Sequence, residues 1–351
     1  MSAKLVANCL KCSLLAFFLL LLQPGWCQNP LSSLDQVLEQ NRRDLGNNVV
    51  MLVWRGDTLA YKKELGDFNS KTVKPIASCS KWLTAALVMQ FVDEGQLSLD
   101  DKITRWLPEF AKYGKNYITI RNCLSHMTGI EDEGGFLKKW MQRRKFTSLE
   151  EEVNSFAARE IRANPGTDFW YGEVGLNIAG RILEIISKRR FDVLIRQKLF
   201  VPLGMRRTSF SSTDGGPVNP SGGAQSTADD YIRFLGMLLN RGTFQGKRIL
   251  SEKAVDEMMQ LQTAPPVIKR YAPKVAEGYD YALGSWVLEK DPAGKPTALA
   301  SPGLFGSWPV VDYCHGYAYI VFVKSLLSEG KAEANLQVKE ALDRIYPSTC
   351  R

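Results

Sequence analysis

Ser78-Cys79-Ser80-Lys81-Trp82-Leu83-Thr84-Ala85-Ala86-Leu87-Val88-Met89-Gln90-Phe91-Val92-Asp93-Glu94-Gly95 is the stretch on which the reading of this chain turns. From Lys81 to Glu94 apolar residues occupy nearly every face, which predicts a buried helix, and Gly95 supplies its C-cap. Ser78 and Lys81 stand three positions apart at the mouth of that helix, so hydroxyl and ammonium share one face. Serine is a weak nucleophile and needs a neighbouring base to take its proton. A lysine that ordinarily titrates near ~10.4 must be lowered for that task, and burial beside Trp82 and Ala85 pushes it that way. The helix N-terminus adds backbone N–H groups and the positive end of a dipole for a developing oxyanion. A second S-x-x-K, Ser328-Glu329-Gly330-Lys331, opens no buried helix and reads as a turn between strand and helix.

Working outward, Leu31, Leu34, Leu38 and Leu45 follow a helical period. Residues 48–54 and 58–61 read as two strands around the turn Arg55-Gly56-Asp57. Helices are expected at 81–94, 148–161, 174–189, 227–240 and 251–261. Strands are expected at 281–288, 305–312 and 317–324, and a closing helix at 332–346. Strands from both ends of the chain can form one antiparallel sheet covered by the terminal helices. The expected class is α/β, an α+β sandwich, with a sheet part of about 28–75 and 276–351 and a helical insertion of about 76–275. No repeat with a period of 20–50 residues interrupts this plan.

Of 351 residues 45% are hydrophobic and 23% charged, which excludes collagen-like, low-complexity and wholly disordered chains. The formal charge of +8 includes no run of five or more like charges, so it does not point to nucleic acid. Lys4 and Lys11 precede the apolar run Leu14–Leu22, which ends at Gln23-Pro24-Gly25-Trp26-Cys27, the pattern of a secretory signal peptide over 1–27. That run is shorter than the ~20 residues of a membrane span. A lipid anchor on Cys27 is the lesser alternative, since bulky Trp26 precedes it. The expected location is therefore secreted or periplasmic, with no stable membrane span once the leader is removed. Beyond the leader remain Cys79, Cys123, Cys314 and Cys350, without a CxxC pair, and the whole chain has two histidines, so no zinc site is expected. The closing helix runs back toward the turn that holds Cys314, and this places Cys350 where a Cys314–Cys350 disulfide can form.

Further segments carry a resemblance. Ala77-Ser78-Cys79-Ser80-Lys81 and Glu94-Gly95-Gln96-Leu97-Ser98-Leu99-Asp100-Asp101 resemble serine hydrolases of the class C β-lactamase and penicillin-binding type. That group includes D-alanyl carboxypeptidases and esterases. Leu124-Ser125-His126-Met127-Thr128-Gly129 is similar to its S-H-x-[ST]-G segment, and Pro165-Gly166-Thr167 to its P-G-T turn. Tyr171-Gly172-Glu173 falls at Y-x-N, Ser226-Thr227-Ala228-Asp229-Asp230 at a later helix start, and Ser301-Pro302-Gly303 at the K-T-G or H-x-G strand. The matches run in family order from about 50 to 325. The resemblance implies a β-lactamase/transpeptidase-like fold and no cofactor or metal. It implies Ser78 as acylated nucleophile, Lys81 and Tyr171 sharing general base and acid, and the backbone N–H groups of Ser78 and of Leu304, on the strand after Gly303, as the oxyanion hole.

Two departures shape the substrate. Glu173 replaces the amide of Y-x-N and either pairs with Lys81, favouring the ammonium, or points away and leaves Tyr171 to work alone. Ser301 stands where β-lactamases and peptidases present a cation to the substrate carboxylate, so a small neutral ester or amide fits better than a β-lactam. The expected activity is that of a carboxylesterase or acyl hydrolase working through an acyl-Ser78 intermediate. A β-lactamase or D-Ala-D-Ala carboxypeptidase acting on wall peptides, and a non-catalytic binding homologue, are the alternatives. Cys79 reads as packing or one half of a bridge, His126 as a structural residue and His315 as a solvated loop histidine. The run Lys138-Lys139-Trp140-Met141-Gln142-Arg143-Arg144-Lys145 reads as a solvated face. Nothing in the sequence signals an oligomeric state.

Overall fold

The computed structural model describes residues 31–132, 141–210 and 216–350. The signal-peptide and Cys27 expectations, and Lys138–Trp140 of the basic run, lie outside these. Helix α1 (Ser32–Gln40) leads into β1 (Val49–Arg55) and its hairpin partner β2 (Thr58–Leu65). The middle of the chain carries α2 (Ser80–Asp93), α3 (Ile120–Leu124), α4 (Leu149–Ala157), α5 (Val174–Ser187), α6 (Ala228–Leu239) and α7 (Glu252–Met259). The chain then returns to the sheet with β3 (Asp280–Tyr281), β4 (Trp286–Lys290), β5 (Pro296–Ala300), β6 (Trp308–Asp312) and β7 (Tyr317–Val323), and closes with α8 (Glu329–Ile345).

These seven strands form one antiparallel sheet in the order β2-β1-β7-β6-β5-β4-β3. The first and last parts of the chain meet at its centre, with Val49 opposite Val323 and Leu52 opposite Ile320. Every residue from Val49 to Trp54 is buried, because helices cover both faces and the two-residue period sends alternate side chains into two cores. Val49, Met51 and Val53 join Leu34, Leu38, Val338 and Leu342 under α1 and α8. Val50, Leu52 and Trp54 join α2, α5 and α6 on the other side. The edge strand β2 is largely exposed and carries Lys62, Lys63 and Glu64, charges that discourage pairing with another chain.

The sheet departs from the expected strands at four places, the first being β2, which runs on to Leu65 instead of ending at 61. Residues 281–288 break into β3 and β4 around a turn at Gly284 (φ +79°), where a Cβ would stand 2.7 Å from Ala85 Cβ and 2.9 Å from Lys81 O. Strand β5 went unpredicted because Thr297-Ala298-Leu299-Ala300 lacks a β-branched or aromatic run; it is buried because β4 and β6 flank it. Residues 305–307 are a turn, so β6 starts at Trp308. Ser328 is the N-cap of α8, its hydroxyl accepting from the Lys331 N–H, so the second S-x-x-K is a helix cap.

Two further expectations are corrected. His315 is not a solvated loop histidine: Nδ1 lies 3.0 Å from Oδ2 of the fully buried Asp312. Lys339 completes that cluster, within 2.9 Å of Asp312 and Asp343 and 2.5 Å of Glu289. Burial alone would lower the Lys339 ammonium, but these carboxylates hold it above its usual range. Arg143, within the basic run, is buried rather than solvated and pairs with Glu152.

Cys314, in the β6–β7 turn, is bonded to Cys350 with the Cα atoms 5.1 Å apart, and Thr349 N–H and Oγ1 both donate to Cys314 O at 2.8 Å. The bond ties the tail after α8 to the sheet. Cys350→Ser is expected to lower stability by ~2–4 kcal/mol while leaving the distant Ser78 region intact. Thermal unfolding without reductant checks this, and an unchanged midpoint would contradict it.

Candidate active site

The chain enters α2 through a tight 3-10 turn, Ala77–Cys79. Ala77 takes a left-handed backbone (φ +45°), strained for a residue with a Cβ. The turn is held by its surroundings. Cys79 N–H donates to Ile76 O at 3.1 Å, Tyr231 of α6 donates to Cys79 O at 2.8 Å, and Ala224 N–H donates to Ser80 Oγ at 3.0 Å. Ala77, Cys79 and Ser80 are buried on either side, whereas Ser78 keeps a partly exposed side chain. Burial pushes the Cys79 thiol far above its usual range, so it is inert packing beside Ser78.

Lys81 is buried, and its ammonium donates to Ser78 Oγ at 3.2 Å and to Ser221 O at 2.8 Å. It also lies 4.9 Å from the centre of the Tyr171 ring. The Tyr171 phenol lies close enough to the Ser78 hydroxyl to influence its protonation. Burial raises the phenol above its usual value, with the Ser78 contact opposing, so the ring keeps its proton through the neutral range. Serine, lysine and tyrosine, separated by up to 93 positions, thus converge on one hydroxyl.

Tyr171 is placed by an aromatic wall. Its ring lies 5.0 Å from Trp286 and 4.6 Å from the His126 imidazole, centre to centre. His126, at a left-handed position (φ +58°), accepts the Gly172 N–H on Nδ1 at 3.3 Å; with that assignment Nε2 carries the proton toward the Tyr281 hydroxyl 3.1 Å away. His126 is thus structural, as expected, and its structure serves the Tyr171 segment.

Ser301, immediately after β5, turns its hydroxyl inward to Ser78 O and Gly284 O, both at 3.3 Å. At Gly303 a Cβ would stand 2.2 Å from Ile76 O, so glycine lets this segment close on the Ser78 turn. Leu304 is in a turn rather than on a strand: Gly306 N–H donates to Gly303 O at 2.8 Å, and Gly303 N–H to Ser307 O at 2.9 Å. Among the described residues the Leu304 amide donates to no backbone carbonyl. The Ser78 amide is in the first turn of a helical segment, where N–H groups lack internal partners.

Glu173 precedes α5, and its amide and that of Val174 donate to Asp132, which caps the helix. Its side chain lines a small cavity with Asp132, Arg143, Glu152 and Arg159. Glu173 Oε1 lies 3.8 Å from the place a Cβ on Gly222 would take, next to Ser221, whose carbonyl holds the Lys81 ammonium. No pattern in the chain marks Ser221, whose carbonyl anchors Lys81, or Asn177 and Thr84, which hold the Ser221 segment. A long-range hydrogen bond leaves no periodic trace.

The family model described as Beta-lactamase matches residues 37–343. The chain belongs to the Beta-lactamase family. Protein Rv1367c of Mycobacterium tuberculosis is 29% identical to this chain over 325 residues, 75% of this chain and 80% of that one. Esterase EstB of Burkholderia gladioli is 27% identical over 202 residues, covering 51% of this chain and 50% of its own. A solved Bacteroides dorei structure, provisionally described as a beta-lactamase, superposes with a TM-score of 0.78 at 27% identity, covering 89% of this chain and 99% of that one. EstCE1, a hydrolase with promiscuous acyltransferase activity, gives 0.72 at 20% identity over 89% and 98%, a likeness of fold. Membership of the Beta-lactamase family makes the chain a β-lactamase-fold serine hydrolase, with helices packed about a large antiparallel sheet.

Proposed function

We propose that the protein is a secreted or periplasmic acyl hydrolase, of the carboxylesterase type, acting on small neutral esters or amides through an acyl-Ser78 intermediate. The observation that carries this reading is a buried lysine 3.2 Å from Ser78 Oγ, with the Tyr171 ring 4.9 Å from that ammonium. Lys81 takes the Ser78 proton as Oγ attacks the acyl carbon, and the Ser78 and Leu304 amides receive the oxyanion. Tyr171 donates to the departing alcohol or amine. Water then attacks the acyl-enzyme by the same route in reverse. The leader expected over 1–27 supports export.

The neutral substrate rests on Ser301. Its hydroxyl is committed to two backbone carbonyls, and Pro302 after it has no N–H to donate. A substrate carboxylate would find no cation at this position. Labelling of the intact protein with a fluorophosphonate, and no labelling with a tagged penicillin, is the expected outcome. Penicillin labelling favours the wall-peptide reading instead, and labelling by neither favours a binding homologue. Ser301→Lys is expected to raise β-lactam hydrolysis only modestly, ~10-fold or less, because the new charge lacks a prepared setting. Efficient nitrocefin hydrolysis by the wild type, without esterase activity, would overturn the neutral-substrate reading.

A further inference from the structure

Lys81 is oriented by a carbonyl 140 positions away, and the loop that carries it is pinned by three buried side chains. Thr84 Oγ1 donates to Pro220 O at 2.6 Å. Ser221 N–H donates to Asn177 Oδ1 at 3.1 Å. Arg143 Nη2 donates to Pro217 O at 2.9 Å and to Val218 O at 3.3 Å. Arg143 is held in turn by Glu152, with Nη2 3.1 Å from Oε2 and Nε 2.9 Å from Oε1.

Packing does not account for these choices. A buried ion pair is often no better for stability than apolar residues of the same volume. Asn177 is fully buried, yet its Nδ2 has no partner among the described residues, which costs stability that an apolar side chain would avoid. Both residues grip the same loop. We propose that Arg143 and Asn177 are positioning residues for Lys81, acting through the Pro217–Ser221 loop, whose last carbonyl orients the ammonium toward Ser78. This inference rests on reading Lys81 as the base of acyl transfer.

The loop therefore responds to pH through Glu152. Burial raises its carboxyl, Arg143 opposes, Glu173 raises it further, and the group comes to about 7. Asp132 and Arg159 complete the charged groups around it. As pH falls through that value Glu152 gains a proton, its hold on Arg143 weakens, and the grip on Pro217 and Val218 loosens.

The test compares wild type with Arg143→Ala, Arg143→Lys and Asn177→Leu, by amide hydrogen exchange over 216–224 and by pH–rate profiles on a p-nitrophenyl ester. Asn177→Leu keeps the volume and removes the orphan donor, and Arg143→Lys keeps a cation against Glu152, so a folded variant is available at each site. Exchange in 216–224 is expected to rise ~10-fold or more in Arg143→Ala and Asn177→Leu, and less in Arg143→Lys. Turnover should fall ~10–100-fold with KM little changed, since displacement of a reacting group by about 1 Å is enough for such losses. The acid limb should move to lower pH, because a carbonyl that favours the ammonium has been withdrawn. Folded variants with wild-type exchange, or with wild-type turnover and acid limb, would overturn the proposal. A wild-type protein with neither ester turnover nor Ser78 labelling would instead overturn the assignment of Lys81 as base, and the exchange data would still judge the loop.

Discussion

Ser78→Ala is expected to abolish ester hydrolysis, lowering kcat by roughly 10⁵–10⁶-fold, the scale seen when a nucleophile acting as part of a unit is removed. The hydroxyl is the point where Lys81 and Tyr171 meet, and neither of them can form the acyl ester in its place. The adjacent thiol offers no substitute, since Cys79 is buried and its thiol is held in the neutral form. Stability should change by ~1 kcal/mol or less, because Lys81 keeps its Ser221 carbonyl and the core around α2 is untouched. Equal rates in mutant and wild type on a short p-nitrophenyl ester would defeat the assignment. So would fluorophosphonate labelling that persists in the mutant.

Removing either partner of Ser78 should be nearly as damaging. Lys81→Ala takes away the proton acceptor, and Tyr171→Phe removes the phenol while leaving the ring against Trp286 and His126. Each loss is expected to cost ~10²–10⁴-fold in kcat, the usual range for general acid–base groups. The two side chains differ in pH behaviour. Because the folded Tyr171 pKa is raised, the phenol stays protonated to higher pH than a free tyrosine. No alkaline loss from its ionisation is therefore expected below pH ~10, the value for an unperturbed tyrosine. A wild-type rate that kept climbing through and beyond that pH would instead make the Tyr171 phenolate the base. A Tyr171→Phe enzyme with full activity would remove the residue from the chemistry altogether.

What could be read from the chain alone was local or directional. The all-round apolar pattern after Ser80, the three-residue spacing of Ser78 and Lys81, and the strand and helix periods at both ends follow from 3.6- and 2-residue geometry. Chain direction also sufficed to bring Cys350 to Cys314, since a helix after a strand must run back across the sheet. Strand β5 escaped because its small residues are strand-like only between β4 and β6.

The tertiary structure decided the rest of the site. Arg143 sits in a run that reads as a solvated face, yet it is buried because Glu152 and two loop carbonyls receive it there. Ser301 looks like a residue facing substrate, yet its hydroxyl is spent on carbonyls 223 and 17 positions away. The anchor of Lys81 is a backbone carbonyl, which every residue has and no side chain announces. The sequence by itself determined the three-residue spacing of Ser78 and Lys81 and the buried helix that follows Ser78. Which groups gather around Ser78 and Lys81 was decided only when segments more than 90 residues apart packed together, because a hydrogen bond or ring contact depends on distance and angle and leaves no period in the chain.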